Sequence, residues 1–152
     1  KHLATYVQRQ KNASSPQERE RYLYSLPFFR PQQLVERIFT LIDERTLPTE
    51  SVIPLLRDML SRRHTQLEAW DYVKGHWAFI ATLGSLSIPG VIAATGSLPI
   101  SQRAELEEFY EQHLKGVADQ SYARAIETME QLAEFRARTK GDVVAWFLKR
   151  ET

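Results

Sequence analysis

The sequence predicts an all-α protein whose antiparallel helix pairs stack as a HEAT-like α-superhelix. Apolar residues recur with the 3.6-residue helical period in nearly every segment, and alternation of strand length is absent. The joints are short and rich in proline, which favours antiparallel neighbours. Hairpins of roughly 40 residues suit HEAT repeats. We therefore expect residues 1–152 to form a single helical domain.

Two short helices are predicted at the start of the chain. Residues 3–7 carry one apolar helical face, as at the end of a longer helix. Ser15 and Glu18 are spaced as a capping box around Pro16, which suits a first helical position. The helix that they begin is expected to end at Pro27.

Two further helices are predicted to begin at prolines. Pro31 precedes an inward face over residues 34–42, and Pro48 precedes another over residues 52–60. Within the second of these helices, Pro54 would remove a backbone donor. That helix is therefore expected to begin later, near Ile53, or to kink.

A central helix is predicted over residues 65–83. Thr65 and Glu68 are spaced as a capping box at its start. Residues 77–83 are apolar all round except Thr82, so this half should have neighbours on every side. Its main stripe is formed by Leu67, Trp70, Lys74, Trp77 and Ala81, with Val73 and Ile80 beside it.

The segment 84–99 contains two prolines and three glycines, which allow at most a short helix over residues 91–94. Ser101 is expected to cap the next helix, with Glu105 on its solvated side. The inner face of that helix comprises Leu106, Phe109, Tyr110 and Leu114.

A long helix is expected from Asp119, and Thr139 with Asp142 should cap a separate final helix. That last helix is expected to be buried through its apolar residues, Val143, Val144, Phe147 and Leu148. Across the whole chain, the predicted core comprises Trp70, Val73, Trp77, Ile80, Phe109, Ile126, Met129 and Phe147.

Composition excludes several classes of protein. A net charge of +1 gives no basic footprint for nucleic acid. The chain has no cysteine, so disulfides and thiolate metal sites are excluded. No apolar run reaches the ~20 residues of a membrane span, and no signal peptide is visible. We expect a cytoplasmic protein cut from a longer one.

Candidate catalytic groups are sparse. None of the four histidines has a second histidine one turn away, as a helical zinc site requires. His64 with Glu68 could supply two metal ligands, but a solvated loop histidine is the better interpretation. His76 is interpreted as a hydrogen-bonded interior histidine. Paired carboxylates could perform acid–base chemistry if buried, but Glu127, Glu130 and Glu134 are better explained as a solvated helix face.

Four ordered segments resemble the C-terminal helical domain of zinc aminopeptidases related to aminopeptidase N and to the puromycin-sensitive and endoplasmic-reticulum enzymes. Residues 69–77, AWDYVKGHW, resemble the family's aW-x-f-v-k-x-N-W signature. Residues 16–37 resemble its ER-x-x-x-L-x-x-L helix pair, and residues 106–113, LEEFYEQH, its e-x-x-x-F-F-x-x-H segment. The closing E … W-x-x-R … i … L pattern is matched by Glu127, Phe135, Arg138, Val143 and Phe147.

Three positions depart from this family pattern. His76 stands where the family usually has Asn, Phe135 where it has Trp, and Tyr110 where a second Phe is common. These changes are conservative for packing. They place in doubt only the contact that the family's Asn makes.

The resemblance implies a later part of a larger helical domain that closes over a separate catalytic domain of the same polypeptide. It also implies that a zinc ion is bound by an HExxH motif and a distant Glu in that domain. This chain lacks HExxH, so it is expected to have no catalytic or metal residue and no cofactor of its own. Its expected role is to restrict access of peptide substrates. Arg124 is a candidate substrate contact, although no matched motif identifies it.

Two alternatives remain open. The chain could instead be a free-standing HEAT-like scaffold that binds a protein partner on its concave surface. A third hypothesis is a small helical enzyme that uses Glu127 or Glu130. For any uncapped solenoid fragment, we also expect self-association through the first helices, over residues 3–26.

Overall fold

The computed structural model describes residues 2–84 and 86–148, with every side chain in these ranges except those of residues 144, 147 and 148. The described residues form α-helices and short 3-10 turns, and they contain no strand. The all-α prediction is confirmed.

The α-helices follow one another with short connections. They are α1 (His2–Lys11), α2 (Pro16–Leu23), α3 (Gln32–Asp43), α4 (Thr49–Leu60), α5 (Gln66–Gly75), α6 (Trp77–Thr82), α7 (Ile88–Ala94), α8 (Arg103–His113) and α9 (Asp119–Leu148). Turns of 3-10 helix lie at Leu26–Phe28, Thr95–Ser97 and Ile100–Gln102.

Helices that are close in sequence are also close in space. α1 contacts α2, and α4 contacts α5. Helices that do not follow one another directly also make contact: α3 with α5, α4 with α7 and α7 with α9. This progressive succession of contacts is consistent with a helical superhelix. One continuous apolar core runs through it, from Leu3 in α1 to Met129 in α9.

The predicted cap of α2 is present with one change of partner. Ser15 is the N-cap, and its hydroxyl oxygen accepts a hydrogen bond from the Glu18 amide over 3.2 Å. The Glu18 carboxylate bonds to the Ser14 amide over 2.8 Å, so the box closes on Ser14. The helix ends at Leu23, before the predicted Pro27, because a 3-10 turn occupies Leu26–Phe28.

Helix α4 begins at Thr49 and contains Pro54, so a later start near Ile53 was wrong. Pro54 lacks the N–H that would bond to the carbonyl of Glu50, and the helix therefore loses one bond in its first turns. Burial of the α4 face offsets that loss, because Val52, Leu55, Leu56, Met59 and Leu60 are each at most 2% exposed.

The predicted central helix is two helices. α5 ends at Gly75, and His76 leaves helical geometry with φ −117° and ψ 21° before α6 begins at Trp77. Gly75 is a weak helix former, and His76 donates to the Tyr72 carbonyl from both its amide and its ring Nδ1, each over 3.0 Å. The break is therefore held by local hydrogen bonds.

The cap at Thr65 and the packing of α6 also differ from prediction. The Thr65 hydroxyl donates to the Met59 carbonyl over 2.7 Å instead of capping α5. In α6 only Ile80 is buried, while Ala78 and Ala81 are exposed. Leu67, on the predicted stripe, is 43% exposed. The expectation of neighbours on every side was wrong.

The starts of two helices in the second half differ from prediction. α7 begins at Ile88, earlier than the predicted 91. Gln102 is the N-cap of α8, because Ser101 lies inside a 3-10 turn.

Thr139 and Asp142, the predicted cap of a final helix, lie in the interior of α9. α9 runs unbroken through Leu148, and the Thr139 hydroxyl donates to the Phe135 carbonyl of the preceding turn. Val143 is 51% exposed, so it does not bury a last helix. The side chains of residues 144, 147 and 148 lie outside the described part.

Candidate functional site

Helix α5 carries polar and aromatic side chains on two opposite faces. Trp70 and Lys74 lie one turn apart on the face toward α8, and Tyr72 and His76 on the face toward α3. Residues two apart on a helix point about 200° apart, which places these pairs back to back. α5 is thereby tied to both neighbours at once.

The first tie is the Glu105 cluster, formed by Trp70, Asp71, Lys74 and Glu105. The Trp70 indole donates to Glu105 Oε2 over 3.0 Å, and Lys74 Nζ donates to Glu105 Oε1 over 2.6 Å. Lys74 also bonds Asp71 over 2.8 Å. One carboxylate of α8 therefore accepts from two different side chains of α5.

Burial and hydrogen bonding act in opposite directions on Lys74. Burial acts to lower its pKa, but the hydrogen bonds to Asp71 and Glu105 outweigh that effect and leave the pKa above its usual range. The Lys74 ammonium therefore stays charged, and two carboxylates hold it. Such a lysine is not poised as a base or a nucleophile.

Aromatic rings extend the Glu105 cluster into the core. Phe109 of α8 makes edge-on contacts with Trp70 and Trp77, with centroids 5.0 Å and 5.1 Å apart. His113 lies against Phe109 at 4.8 Å. Edge-on aromatic pairs contribute about 1 kcal/mol each beyond area burial, so this contact fixes α8 against α5 and α6.

The second tie is the Asp43 cluster, formed by Asp43, Tyr72 and His76. The Tyr72 hydroxyl donates to Asp43 Oδ1 over 2.6 Å, and His76 Nε2 lies 3.7 Å from the same oxygen. The Tyr72 ring stacks on His76 at 4.0 Å and on Phe39 at 4.8 Å. Burial, together with the bond to Asp43, raises the pKa of Tyr72 above its ordinary value.

Neither cluster has the geometry of a catalytic site. Tyr72 keeps its proton in a bond to Asp43, and no Ser or Thr hydroxyl bonds to His76 among the described residues. No group of three or more His, Asp or Glu side chains that could hold a metal ion occurs in residues 2–84 and 86–148. The described residues therefore do not fit a zinc site, and both clusters act by fixing helix positions.

The predicted core residues occupy different depths. Trp70, Val73, Ile80 and Met129 are 0% exposed, and Phe109 is 6% exposed. Trp77 and Ile126 are partly buried against the core. Phe147 lies outside the described side chains.

The candidate polar residues are mostly at the surface. Arg124 is exposed on α9. Glu127 accepts from Gln131 one turn on, and Glu130 pairs with Arg103 of α8. No acidic pair is buried there, so the structure offers no support for acid–base chemistry on α9.

Both candidate histidines differ from their interpretations. His76 is exposed, with 43% of its side chain accessible, so the interior interpretation was wrong. It lies at the helix break, where its ring stacks on Tyr72. His64 is partly buried and its Nε2 bonds to the Pro27 carbonyl over 2.9 Å, so it is not a solvated loop side chain.

Asp43 and Glu105 were missed as site residues. Glu105 is on the solvated side of α8, as predicted, but its carboxylate also bonds to the fully buried Trp70. The sequence does hold a signal for it, because an indole N–H buried in a core requires an acceptor. Nothing in the local pattern says which carboxylate provides one.

The comparisons with known proteins agree on one kind of domain. The family model of the ERAP1-like C-terminal domain matches residues 1–131. Aminopeptidase A of Gloydius brevicauda is 26% identical over 148 residues, covering 93% of this chain. Glutamyl aminopeptidase of Bitis rhinoceros is 24% identical over 151 residues, covering 95%.

In both relatives the match is confined to a small part of the protein. This chain spans 16% of the length of each. The family match, by contrast, covers most of this chain and agrees with the all-α fold. The chain belongs to the family of ERAP1-like C-terminal domains.

Proposed function

We propose that this chain is a non-catalytic part of the C-terminal domain of a zinc-dependent aminopeptidase. The parent enzyme would remove N-terminal residues from peptides. This chain would close over the catalytic domain of the same polypeptide and restrict access of peptide substrates. The observation that carries the proposal is the family match over residues 1–131, joined to two relatives named as aminopeptidases.

The geometry of α5 supports a role as a wall. Glu105 links α5 to α8, and Asp43 links α3 to α5, so three helices hold fixed positions through side chains that remain partly exposed. A wall of a substrate chamber needs this combination of rigid backbone and accessible polar groups. The zinc chemistry would belong to a different segment of the parent.

A direct experiment is an assay of the purified chain on aminoacyl-anilides with added zinc. We expect no turnover above the rate without protein, because the described residues contain no metal-binding cluster. Zinc-dependent turnover that co-purifies with the chain through successive columns would refute the proposal. Sequencing upstream in the same reading frame distinguishes this proposal from a free-standing scaffold. An HExxH motif encoded there would support the enzyme domain.

A further inference from the structure

A surface pocket of about 310 Å³ lies between α3, α4 and α6 and the residues that follow α3 and α6. Its lining is partly apolar and partly polar. The apolar part comes from Ile42, Leu47, Val52, Phe79 and Leu83, and the polar part from Arg45, Thr49 and Thr82. We call it the Arg45 pocket. Ligand sites span about 300–1,000 Å³ and combine apolar walls with a few polar groups, so this pocket suits a small ligand.

Arg45 has a backbone conformation that arginine disfavours. Its φ is +52°, and it is the only non-glycine residue with positive φ among those described. It follows the end of α3, where the Arg45 amide donates to the Ile42 carbonyl and the Thr46 amide to the Leu41 carbonyl. Glycine is the usual residue at this position of a helix end, because it pays no Cβ penalty. The turn alone therefore does not explain an arginine.

The Arg45 side chain is exposed, and no acidic side chain of the described structure pairs with it. Glu44 accepts two hydrogen bonds from Arg37, and Asp43 accepts from Tyr72. Among residues 2–84 and 86–148, no carboxylate pairs with the Arg45 guanidinium. The nearest acids in sequence are thus engaged elsewhere.

The start of α4 adds a weaker attraction for negative charge. Thr49 lines the pocket as the first residue of α4, and Pro48 offers no side-chain cap. The first amides of a helix carry partial positive charge when no side chain caps them. Glu50 in the first turn of α4 already meets part of this charge, so Arg45 is the main attraction for an anion in the pocket.

We propose that the Arg45 pocket binds a small aliphatic monocarboxylate. The carboxylate would accept two parallel hydrogen bonds from the Arg45 guanidinium, and the hydrocarbon chain would lie between Val52 and Phe79. Guanidinium groups match carboxylates in this two-bond geometry. This site lies outside the Glu105 and Asp43 clusters, and it does not depend on the aminopeptidase proposal.

The test is a calorimetric titration of the whole chain with sodium octanoate. We expect saturable binding at one site, and affinity that rises roughly fourfold per added CH₂ from butanoate to octanoate. Neutral octanamide should bind at least about tenfold more weakly than octanoate, because it lacks the charge. Absence of saturable octanoate binding would overturn the proposal.

Three variants separate a binding site from a structural role. Arg45→Gly relieves the positive φ, so it should unfold at the same temperature as the parent chain or higher while losing about tenfold or more in octanoate affinity. Arg45→Lys keeps the charge without the two-bond geometry and should lose only part of that affinity. Arg63→Gly, an exposed arginine outside the pocket, is the charge-matched control.

The outcomes are distinct. A loss of octanoate affinity in Arg45→Gly, with Arg63→Gly unchanged, supports the site. Equal octanoate affinity in the parent chain and Arg45→Gly overturns it, and so does an equal loss in both glycine variants, which would indicate nonspecific charge attraction.

Discussion

Trp70 is 0% exposed, and its indole N–H donates a hydrogen bond to Glu105, which lies 35 positions away on another helix. A buried indole N–H without a partner costs about 1–3 kcal/mol. Since Glu105 also bonds Lys74, this carboxylate joins α5 to α8 at two points. Glu105 therefore helps to hold α8 in place, together with the contacts of Phe109.

Replacing Glu105 with Ala should destabilise the chain by about 1–2 kcal/mol, because it leaves the Trp70 indole unpaired. Glu105 is 45% exposed, so its ion pair with Lys74 adds little. Urea unfolding followed by tryptophan fluorescence measures the effect.

Glu107→Ala is the matched control for Glu105→Ala. Glu107 is exposed on the same helix and should change stability by less than about 0.5 kcal/mol. Equal stability of the two variants would show that Glu105 does not hold α8.

Gly96 should not tolerate a side chain. A Cβ at Gly96 would lie 2.9 Å from the Thr128 Cβ and 3.0 Å from the Ala125 carbonyl oxygen. Gly96→Ala should therefore push the 3-10 turn away from α9 and cost about 1–3 kcal/mol. Thermal unfolding by circular dichroism measures the loss, and an unchanged midpoint would contradict this packing.

Gly141→Ala should have the opposite effect to Gly96→Ala. Gly141 lies inside α9, and a Cβ there meets nothing within 4 Å. Alanine in a helix interior is favoured over glycine by up to about 1 kcal/mol, so helical content should rise. If residues 139–142 instead formed a helix boundary, as the sequence suggested, alanine would leave the helical signal unchanged or reduce it.

The turn between α8 and α9 should depend on pH through Asp119. Hydrogen bonds from the Tyr110 hydroxyl and the Gly116 amide hold the pKa of Asp119 below its usual range. A lowered pKa stabilises the fold above the unfolded value of about 4, and that stabilisation is lost as the pH falls further. Asp119→Asn should therefore show a smaller drop in unfolding temperature between pH 7 and pH 3 than the parent chain.

The same contact acts in the opposite direction at high pH. The bond to Asp119 and burial raise the pKa of Tyr110 from 10.0 to about 12. This contribution is present below pH 10 and is lost as the pH rises to 12. Tyr110→Phe should flatten stability in that alkaline range, and a profile identical to that of the parent chain would exclude the bond.

Self-association through residues 3–26 stays a prediction. Within that segment Leu3 and Leu23 are buried, while Tyr24 is 46% exposed. Tyr24→Glu should lower the apparent mass at high concentration in light scattering. Leu86→Glu, at a position 96% exposed, is the control and should leave the mass unchanged. A strictly monomeric parent chain at high concentration would count against the prediction.

Helix existence was predictable from the sequence because apolar period and proline position act locally. Ser15 capped α2 as expected, and Pro31 preceded α3. Helix ends were less predictable. The break at His76 depends on a ring bond to the Tyr72 carbonyl, which no pattern of apolar residues encodes. Thr65 has a cap's spacing, but its hydroxyl accepts no amide of α5 and donates instead to the Met59 carbonyl.

The polar ties were the least predictable part. Asp43 and Glu105 sit among charged residues, and each finds its partner 29 or more positions away. Long-range pairing of this kind depends on how helices cross, which a single sequence does not specify. Arg45 carries a local signal, since it occupies a helix end where glycine is usual, but the pocket beside it needs α6.

The central proposal is that this chain controls access of peptides without performing the chemistry. The most direct measurement adds the purified chain to the separately expressed catalytic segment of its parent and compares a small aminoacyl-anilide with a long folded polypeptide bearing the same N-terminal residue. We expect the chain to suppress cleavage of the long substrate and to leave the rate on the anilide within about twofold. Equal rates on the long substrate with and without the chain, at saturating binding, would contradict it.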